Sequence, residues 1–364
     1  MTVVHLVPAM EQGGVESVVC DLNRVVAQAG WRSVVVSRGG RLAERIAADG
    51  GRHIALDLKS KNPLSYFSRA LRLRRLLKRL AAEDPKLLVC AHSRVPAWLF
   101  VWANRALGLR WITYAHGANS VSRYSSVMTR GDRVVAPSKF LASFLLENYG
   151  GALQPPRQSN NQTIKQSNNL KERLRVISPC VDLERFDPER LDTAFVDEKR
   201  REWGIVPGER VVMAVGRIST VKGLDNVIRD FASQGVVGRL VIVGGADARH
   251  AGHLAELKSL AASLGVDGRV VFAGAQAKIP ECLSLADEVV VGNTTKPESF
   301  GLSVVEALAM RRPVRLLREF GCAAEIVASV ASCGVHDVRE AVRSLYGFDA
   351  MAAKTREVYS SFML

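Results

Sequence analysis

Residues 288–306 open with Glu288-Val289-Val290-Val291 and close with Lys296-Pro297-Glu298-Ser299-Phe300-Gly301-Leu302-Ser303-Val304-Val305-Glu306. The first four residues have strand character. The glycine-bearing loop then leads into an apolar stretch of helical type, so the segment reads as strand, loop, helix. The same unit recurs along the whole chain. Further strands are expected at Val3–Val7, Ser33–Ser37, Arg52–Leu56, Leu87–Ala91, Trp111–Tyr114, Arg133–Ala136 and Leu174–Ser178. A second series is expected at Val211–Val215, Arg239–Val243, Val270–Phe272, Glu288–Val291 and Pro313–Leu317. Helical stretches such as Glu16–Ala29, Leu64–Ala82 and Lys139–Asn148 intervene. Alternating βα order means parallel sheets covered by helices on both faces. The order runs twice, which predicts an α/β protein of two doubly wound, Rossmann-like domains, 1–180 and 187–345. A hinge is expected at Pro179 to Pro188, and the apolar tail Tyr346–Leu364 is read as a helix returning to the first domain.

The chain has 364 residues, 48% hydrophobic and 24% charged, a globular composition that fits two domains. Its longest apolar stretch, Val95 to Leu109, is broken by Pro96 and Arg105, too short for a membrane span of about 20 residues. The N-terminus runs straight into a strand without a charged leader, so no secretory signal is expected. Cysteines 20, 90, 180, 282, 322 and 333 form no CxxC pair, which argues against zinc and against a disulfide framework and for reduced thiols in a cytoplasmic protein. Residues 152–171, rich in Gln, Asn and Ser, are read as a mobile loop.

The formal net charge is +14. Residues 1–180 hold 27 Lys and Arg against 11 Asp and Glu, and residues 181–364 hold 23 against 25. All of the excess therefore lies in the first half, which suggests an anionic partner there, or a solvated basic surface. Within it, Leu64, Phe67, Leu71, Leu73, Leu76, Leu77 and Leu80 interleave with Arg69, Arg72, Arg74, Arg75, Lys78 and Arg79. Such a helix suits an anionic membrane surface, or is an ordinary crossover helix whose leucines face the sheet. A nucleic-acid binder has the charge, but aromatic residues are only 6% and no recognition-helix or RNP-type pattern occurs.

Ligands of open α/β sheets bind beyond the carboxyl ends of the strands. After the first strand, Gly13-Gly14 precede a helix and let the backbone approach an anion. After the first strand of the second half comes Gly216-Arg217-Ile218-Ser219-Thr220-Val221-Lys222-Gly223, where two cations flank a turn that suits a diphosphate. After Glu288–Val291, Glu298 lies before the helix and Glu306 inside it, with the N–H groups of Phe300, Gly301 and Leu302 at the helix start. Two carboxylates there suit sugar hydroxyls, and free N–H groups suit phosphate or sugar oxygens. The chain lacks GxGxxG, GxxxxGK[ST] and DxD, which counts against dehydrogenases, P-loop NTPases and a metal-bound donor.

Taken together, these motifs resemble the retaining glycosyltransferases of family 4, with the GT-B fold of two domains facing a cleft. Glu298 and Glu306 match the E-x7-E signature, Gly216-Arg217 with Lys222-Gly223 the GR-x4-KG motif, and Gly13-Gly14-Val15-Glu16 the GG-x-E loop. Val176-Ile177-Ser178-Pro179-Cys180-Val181-Asp182 with Phe186 resembles the hinge. The stretches 93–98, 114–117 and 126–134 look like a bacterial subgroup of lipopolysaccharide-core transferases. The resemblance implies that domain 187–345 binds a nucleotide-sugar and domain 1–180 the acceptor. By the same resemblance, Arg217 and Lys222 would neutralise the leaving diphosphate, Glu298 would bind sugar hydroxyls and Glu306 the ribose. Gly14 would let the first loop approach the donor phosphate, and His116 would hydrogen-bond the transferred sugar. It departs from the family at Cys180, at Arg311, where glycine is usual, and at the 316–321 loop, whose side chains would crowd the donor site.

The implied reaction is transfer of a hexose-type sugar to a saccharide or lipid-linked acceptor, with retention, without metal and with no cofactor, at the cytoplasmic face of a membrane. A sugar-nucleotide epimerase or phosphorylase-like enzyme of the same fold, and a transferase that binds donor without turnover, are the alternatives. No nucleic-acid partner is expected.

Overall fold

The structure is a computed structural model and describes residues 1–11, 13–60, 62–150, 169–235, 237–246, 251–292 and 298–363. Most of the polar stretch read as a mobile loop, and Lys296-Pro297, lie outside the described residues. The chain forms two units: Met1–Cys180 with Asp349–Leu364, and Val181–Phe348.

The first unit holds a seven-stranded sheet. Its strands are β1 (Thr2–Leu6), β2 (Arg32–Ser37), β3 (Arg52–Ala55), β4 (Leu87–Ala91), β5 (Arg110–Tyr114), β6 (Arg133–Ala136) and β7 (Leu174–Val176). All pairs are parallel, in the order β3-β2-β1-β4-β5-β6-β7. Side chains alternate between the faces. Val4, Leu6, Val34, Val36, Val89 and Ala91 pack with Leu73, Leu77 and Phe100 of the Pro63–Glu83 and Arg94–Ala103 helices. On the other face Val7 and Val35 pack with Val19 and Cys20 of the Gly14–Gln28 helix. The last helix, Phe348–Ser360, brings Tyr359 to Tyr114, with the two hydroxyls 2.7 Å apart.

The second unit holds β8 (Arg210–Val215), β9 (Gly238–Val243), β10 (Val270–Gly274), β11 (Glu288–Val291) and β12 (Val314–Leu316), all parallel in the order β10-β9-β8-β11-β12. Alternation again divides the core. Val211 and Met213 face Val304 and Val305 of the Leu302–Ala309 helix, whereas Val212 and Ala214 face Val227, Ile228 and Phe231 of the Leu224–Ser233 helix. Val181 and Phe186 are buried in this core, and the Val181 N–H donates to the Tyr346 carbonyl. Arg339, itself buried, donates to the Leu183, Phe186 and Ala309 carbonyls and fixes the entry of the chain into the unit.

Each expected strand is present, with ends that coincide or differ by at most two residues. The largest trimming is at β7 and β12, which are edge strands paired on one side only. Each sheet changes direction once, at β1/β4 and at β8/β11, the two places where loops diverge and leave room for a ligand.

Candidate functional site

In the second unit the loops after β8 and β11 meet at the switch point. Gly216 follows β8 with φ 147°, a backbone that favours glycine, and the Lys222 stem folds back over it, where a Cβ would lie 2.6 Å from Lys222 Cε. Thr220–Lys222 form a single 3-10 turn that stops at Gly223 (φ 59°). A Cβ at Gly223 would stand 2.9 Å from the Gly292 backbone, at the end of β11. The two glycines of the first motif thus bring its lysine against the second motif.

The result is an ion pair between Lys222 and Glu298. Sequence reasoning gave these residues separate partners in a ligand; in the structure they neutralise each other. Both side chains retain some exposure, 22% and 18%, so the pair stays accessible. Glu298 is also held through its backbone, whose carbonyl accepts a 2.8 Å hydrogen bond from the Cys322 thiol. Arg217 is exposed and, among the described residues, makes no ion pair.

The helix Leu302–Ala309 starts at Gly301 with no side-chain cap, and its first free carbonyl bonds return from Val304 and Val305. The N–H groups of Leu302 and Ser303, ahead of these bonds, have no partner within the helix. Gly301 is buried, and a Cβ there would be 3.2 Å from Val304 Cγ2, so the turn is drawn tightly onto its own helix. Phe300 packs edge-to-face on Tyr346, with ring centroids 5.8 Å apart. Its side chain belongs to the core, which leaves its backbone for a ligand. Leu302 is half-buried at the helix start.

Glu306 is half-buried on the same helix. Loss of water around its carboxyl pushes its pKa up to about 7, against the pull of the nearby Arg185 and Lys222 cations. Arg185 was not singled out in the sequence. It lies three residues beyond Asp182, whose carboxylate caps the Glu184 and Arg185 N–H groups. Only the folding of this entry segment onto the unit shows its field at Glu306. Cys322 was likewise missed, since a buried thiol donor carries no local signal.

Arg311 has φ 56° and is the only non-glycine residue with positive φ among those described, which explains the usual glycine. Its side chain points outward to an ion pair with Asp337 at 2.9 Å. Leu316 and Leu317 pack against the two halves of the core, and Arg318 is exposed. Cys180 replaces the hinge glycine without a left-handed backbone.

In the first unit Gly14 begins the Gly14–Gln28 helix. No atom lies within 4 Å of where its side chain would start, so internal packing does not demand glycine there. At Gly13 a Cβ would meet the Glu16 carboxylate at 2.5 Å. The loop before them is braced by a second glycine pair: Met10 N–H donates to the Gly39 carbonyl, and a Cβ on Gly40 would collide with the Met10 backbone. His116, just beyond β5, is linked through His92 to His5. The contacts are His116 Nε2 to His92 Nδ1 and His92 Nε2 to His5 Nδ1, both 3.0 Å. Burial lowers His116 to about 4 and His5 to about 3 and holds His92 well below its usual range. All three are neutral at physiological pH. Among the described residues, no group of three or more His, Cys, Asp or Glu is arranged to hold a metal ion.

The Glycosyltransferase Family 4 model matches residues 12–157 and the Glycosyl transferases group 1 model residues 195–342. A D-inositol 3-phosphate glycosyltransferase of Rhodococcus erythropolis is 33% identical over 195 residues, covering 52% of this chain and 38% of that protein. The chain spans about half or less of the length of such curated relatives. Among solved structures, a glycosyltransferase from Rickettsia africae aligns over 100% of this chain and 98% of its own, with TM-score 0.81 and 21% identity. Anabaena HepE, solved with UDP-glucose, aligns over 99% of this chain and 100% of its own, with TM-score 0.73 and 18% identity. With one model on each unit and the fold shared end to end, the chain belongs to the GT-B glycosyltransferases, a family 4 domain followed by a group 1 domain.

Proposed function

We propose that this protein moves a hexose-type sugar from a nucleotide-sugar donor to a saccharide acceptor, with retention and without a metal ion. The observation that carries the reading is the meeting of Lys222, Glu298 and Glu306 at the β8/β11 switch point, with Arg217 exposed in the loop after β8. A nucleoside diphosphate needs positive charge at its phosphates and acceptors at its ribose and sugar hydroxyls. Arg217, Lys222 and the uncapped helix start supply the first. Glu298 and Glu306 supply the second. In the resting site Lys222 holds Glu298. An incoming diphosphate draws the ammonium to itself and releases the carboxylate to sugar hydroxyls. As the glycosidic bond breaks, charge grows on the diphosphate, and preorganised cations there lower the barrier. HepE was solved with UDP-glucose, which supports a sugar-nucleotide donor. The test is a screen of UDP-, GDP- and ADP-sugars by thermal shift, followed by transfer assays with EDTA. A donor at 100 times its Kd stabilises by about 2.7 kcal/mol. Transfer is expected to survive chelation, and a strict requirement for Mg²⁺ or Mn²⁺ refutes the metal-free mechanism.

We further propose that the acceptor is an anionic, lipid-linked saccharide of the lipopolysaccharide-core class, reached at the cytoplasmic face of a membrane. No described helix is long and apolar enough to cross one. Leu73, Leu77 and Leu80 of the Pro63–Glu83 helix are buried in the core, so they are not offered to lipid. What the helix exposes is Arg72, Arg74, Arg75, Lys78 and Arg79. Beside them Phe67, 53% exposed, stands edge-on to Trp102 at 5.0 Å, and Arg105 lies over the Trp102 ring. Contact is thus electrostatic with an aromatic rim, worth about 1 kcal/mol per basic residue near an anionic leaflet and screened by salt. Sedimentation with liposomes of rising anionic content should retain the wild type and lose a Arg72→Glu, Arg75→Glu, Arg79→Glu variant. Equal binding of the two refutes the helix assignment.

A further inference from the structure

We propose that Arg110, Arg133 and Arg175 form a binding site for a phosphate monoester group. The site lies at the amino ends of β5, β6 and β7, the opposite end of this sheet from Gly13-Gly14 and His116. Sheet register builds it. Arg133 pairs with Ile112, two residues beyond Arg110 in β5, and Arg175 pairs with Val135, two residues beyond Arg133 in β6. Residues two apart along a strand share a face, and so do register partners, so the three arginines stand on one face in a diagonal line. Diagonal neighbours lie about 7–8 Å apart, within reach of long side chains. The Phe348–Ser360 helix covers the same face, since its Tyr359 meets Tyr114, two residues beyond Ile112. Just past that helix, the Phe362 ring centre is 5.3 Å from the Arg110 guanidinium carbon and 5.9 Å from that of Arg133.

Charge balance points to the ligand. The three arginines are half-buried rather than free in solvent. The carboxylate beside them is Asp132, whose Oδ2 accepts the Trp111 N–H at 2.7 Å and stands 3.5 Å from Arg110 Nε. That Nε is buried and makes no hydrogen bond among the described residues. Glu172 lends Arg175 its carbonyl, while its side chain is exposed. One acid against three cations leaves an excess of two positive charges. Burial and the Arg175 and Arg110 cations draw the Arg133 pKa below its ordinary value, against the pull of Asp132. Like charges held together away from water are costly unless an anion joins them. The face of Phe362 compensates only weakly, by cation–π contact. Protein hydrogen bonds take few of the donors: Arg133 Nη1 bonds the Asp132 carbonyl, and Arg175 Nη1 the Glu172 and Leu174 carbonyls. A guanidinium has five N–H groups, so both arginines keep donors for phosphate oxygens. A phosphate monoester carries about −1.5 to −2 at pH 7, which matches the excess. A carboxylate or a phosphodiester brings a single charge and leaves the site unbalanced.

The probe is inorganic phosphate, titrated into ¹⁵N-arginine-labelled protein at constant ionic strength. The expected result is a saturable shift of the Arg110, Arg133 and Arg175 Nε–H resonances and a rise in Tm. Affinity should fall at least about tenfold in Arg133→Gln and in Arg175→Gln, the scale of one charge-assisted hydrogen bond. Arg175 lies on an edge strand, so its variant keeps the test open if Arg133→Gln does not fold. Lys222→Gln serves as the control for phosphate in the donor loops and should leave the response unchanged. A response matched by chloride overturns the site, as does equal affinity in the wild type and the Arg175→Gln variant. A response lost in Lys222→Gln and kept in the arginine variants assigns the phosphate to the donor loops and overturns it too. Vesicles separate the two sources of the group. Preference for phosphatidic acid over phosphatidylglycerol at equal surface charge, lost in Arg175→Gln, assigns a lipid headgroup. Phosphate binding without that preference assigns a soluble phosphate monoester.

Discussion

Glu298→Ala should reduce sugar transfer by at least about 100-fold while UDP binds as tightly as before or tighter. The two effects have one cause. The Glu298 carboxylate pairs with Lys222 in the resting site, so it competes with a diphosphate for the same ammonium. Removing it leaves Lys222 uncommitted. A partly exposed pair is worth up to about 1 kcal/mol, which sets the expected gain in UDP affinity at about fivefold. The donor's sugar loses its hydroxyl acceptor, and 100-fold corresponds to about 2.7 kcal/mol of transition-state stabilisation. The fold should persist, because the side chain lies in a loop and its backbone contact, from the Cys322 thiol to the Glu298 carbonyl, survives truncation. Calorimetric titration with UDP and a transfer assay separate the outcomes. A folded, fully active variant removes Glu298 from the site. A variant that loses UDP affinity in parallel with turnover would mean that the carboxylate serves the nucleotide rather than the sugar.

The pattern of strands was legible because a parallel sheet buried on both faces demands short β-branched runs, and Val3–Val7 or Val211–Val215 admit no other reading. The motif loops were legible as well, since Gly216 and Gly223 sit where backbone or a lysine stem comes too close for a side chain. The Lys222–Glu298 pair was not. It depends on two flexible side chains from loops about 75 residues apart, and each motif taken alone points its charge at a ligand. The histidine chain lay hidden for a different reason. His5, His92 and His116 look unrelated until the register of β1, β4 and β5 stacks them on one face. The basic helix admitted two readings from its composition, a membrane surface or a crossover helix with its leucines on the sheet, and only packing shows that Leu73, Leu77 and Leu80 fall on the stripe that faces the sheet. Glu306 sits between these cases. Its spacing from Glu298 was read directly, but its altered acidity arises from desolvation, which only packing reveals.

That acidity gives Glu306→Gln an effect on stability whose sign depends on pH. The carboxyl titrates near 7 in the folded protein against 4.5 as its ordinary value. Folding therefore favours the protonated form. The wild type keeps its full stability below about pH 4.5 and loses part of it progressively as pH rises toward 7, where the folded group ionises. Glutamine is neutral throughout and escapes that loss. The shift amounts to roughly 1–3 kcal/mol once the partial exposure of the group is allowed for. At roughly 2–4 °C per kcal/mol for a unit of this size, the variant should melt several degrees above the wild type at pH 8 and with it at pH 4.5. Binding should move the other way. A carboxylate accepts two ribose hydroxyls, whereas a carboxyl or an amide accepts less well, so UDP affinity of the wild type should fall as pH drops from 8 to 6. The glutamine variant should bind UDP weakly and with little dependence on pH. Scanning calorimetry across this range, paired with UDP titrations, reads both effects. A variant less stable than the wild type at pH 8 would show that the Arg185 and Lys222 cations outweigh desolvation at this carboxyl. A UDP affinity that is flat with pH in the wild type would separate Glu306 from the ribose.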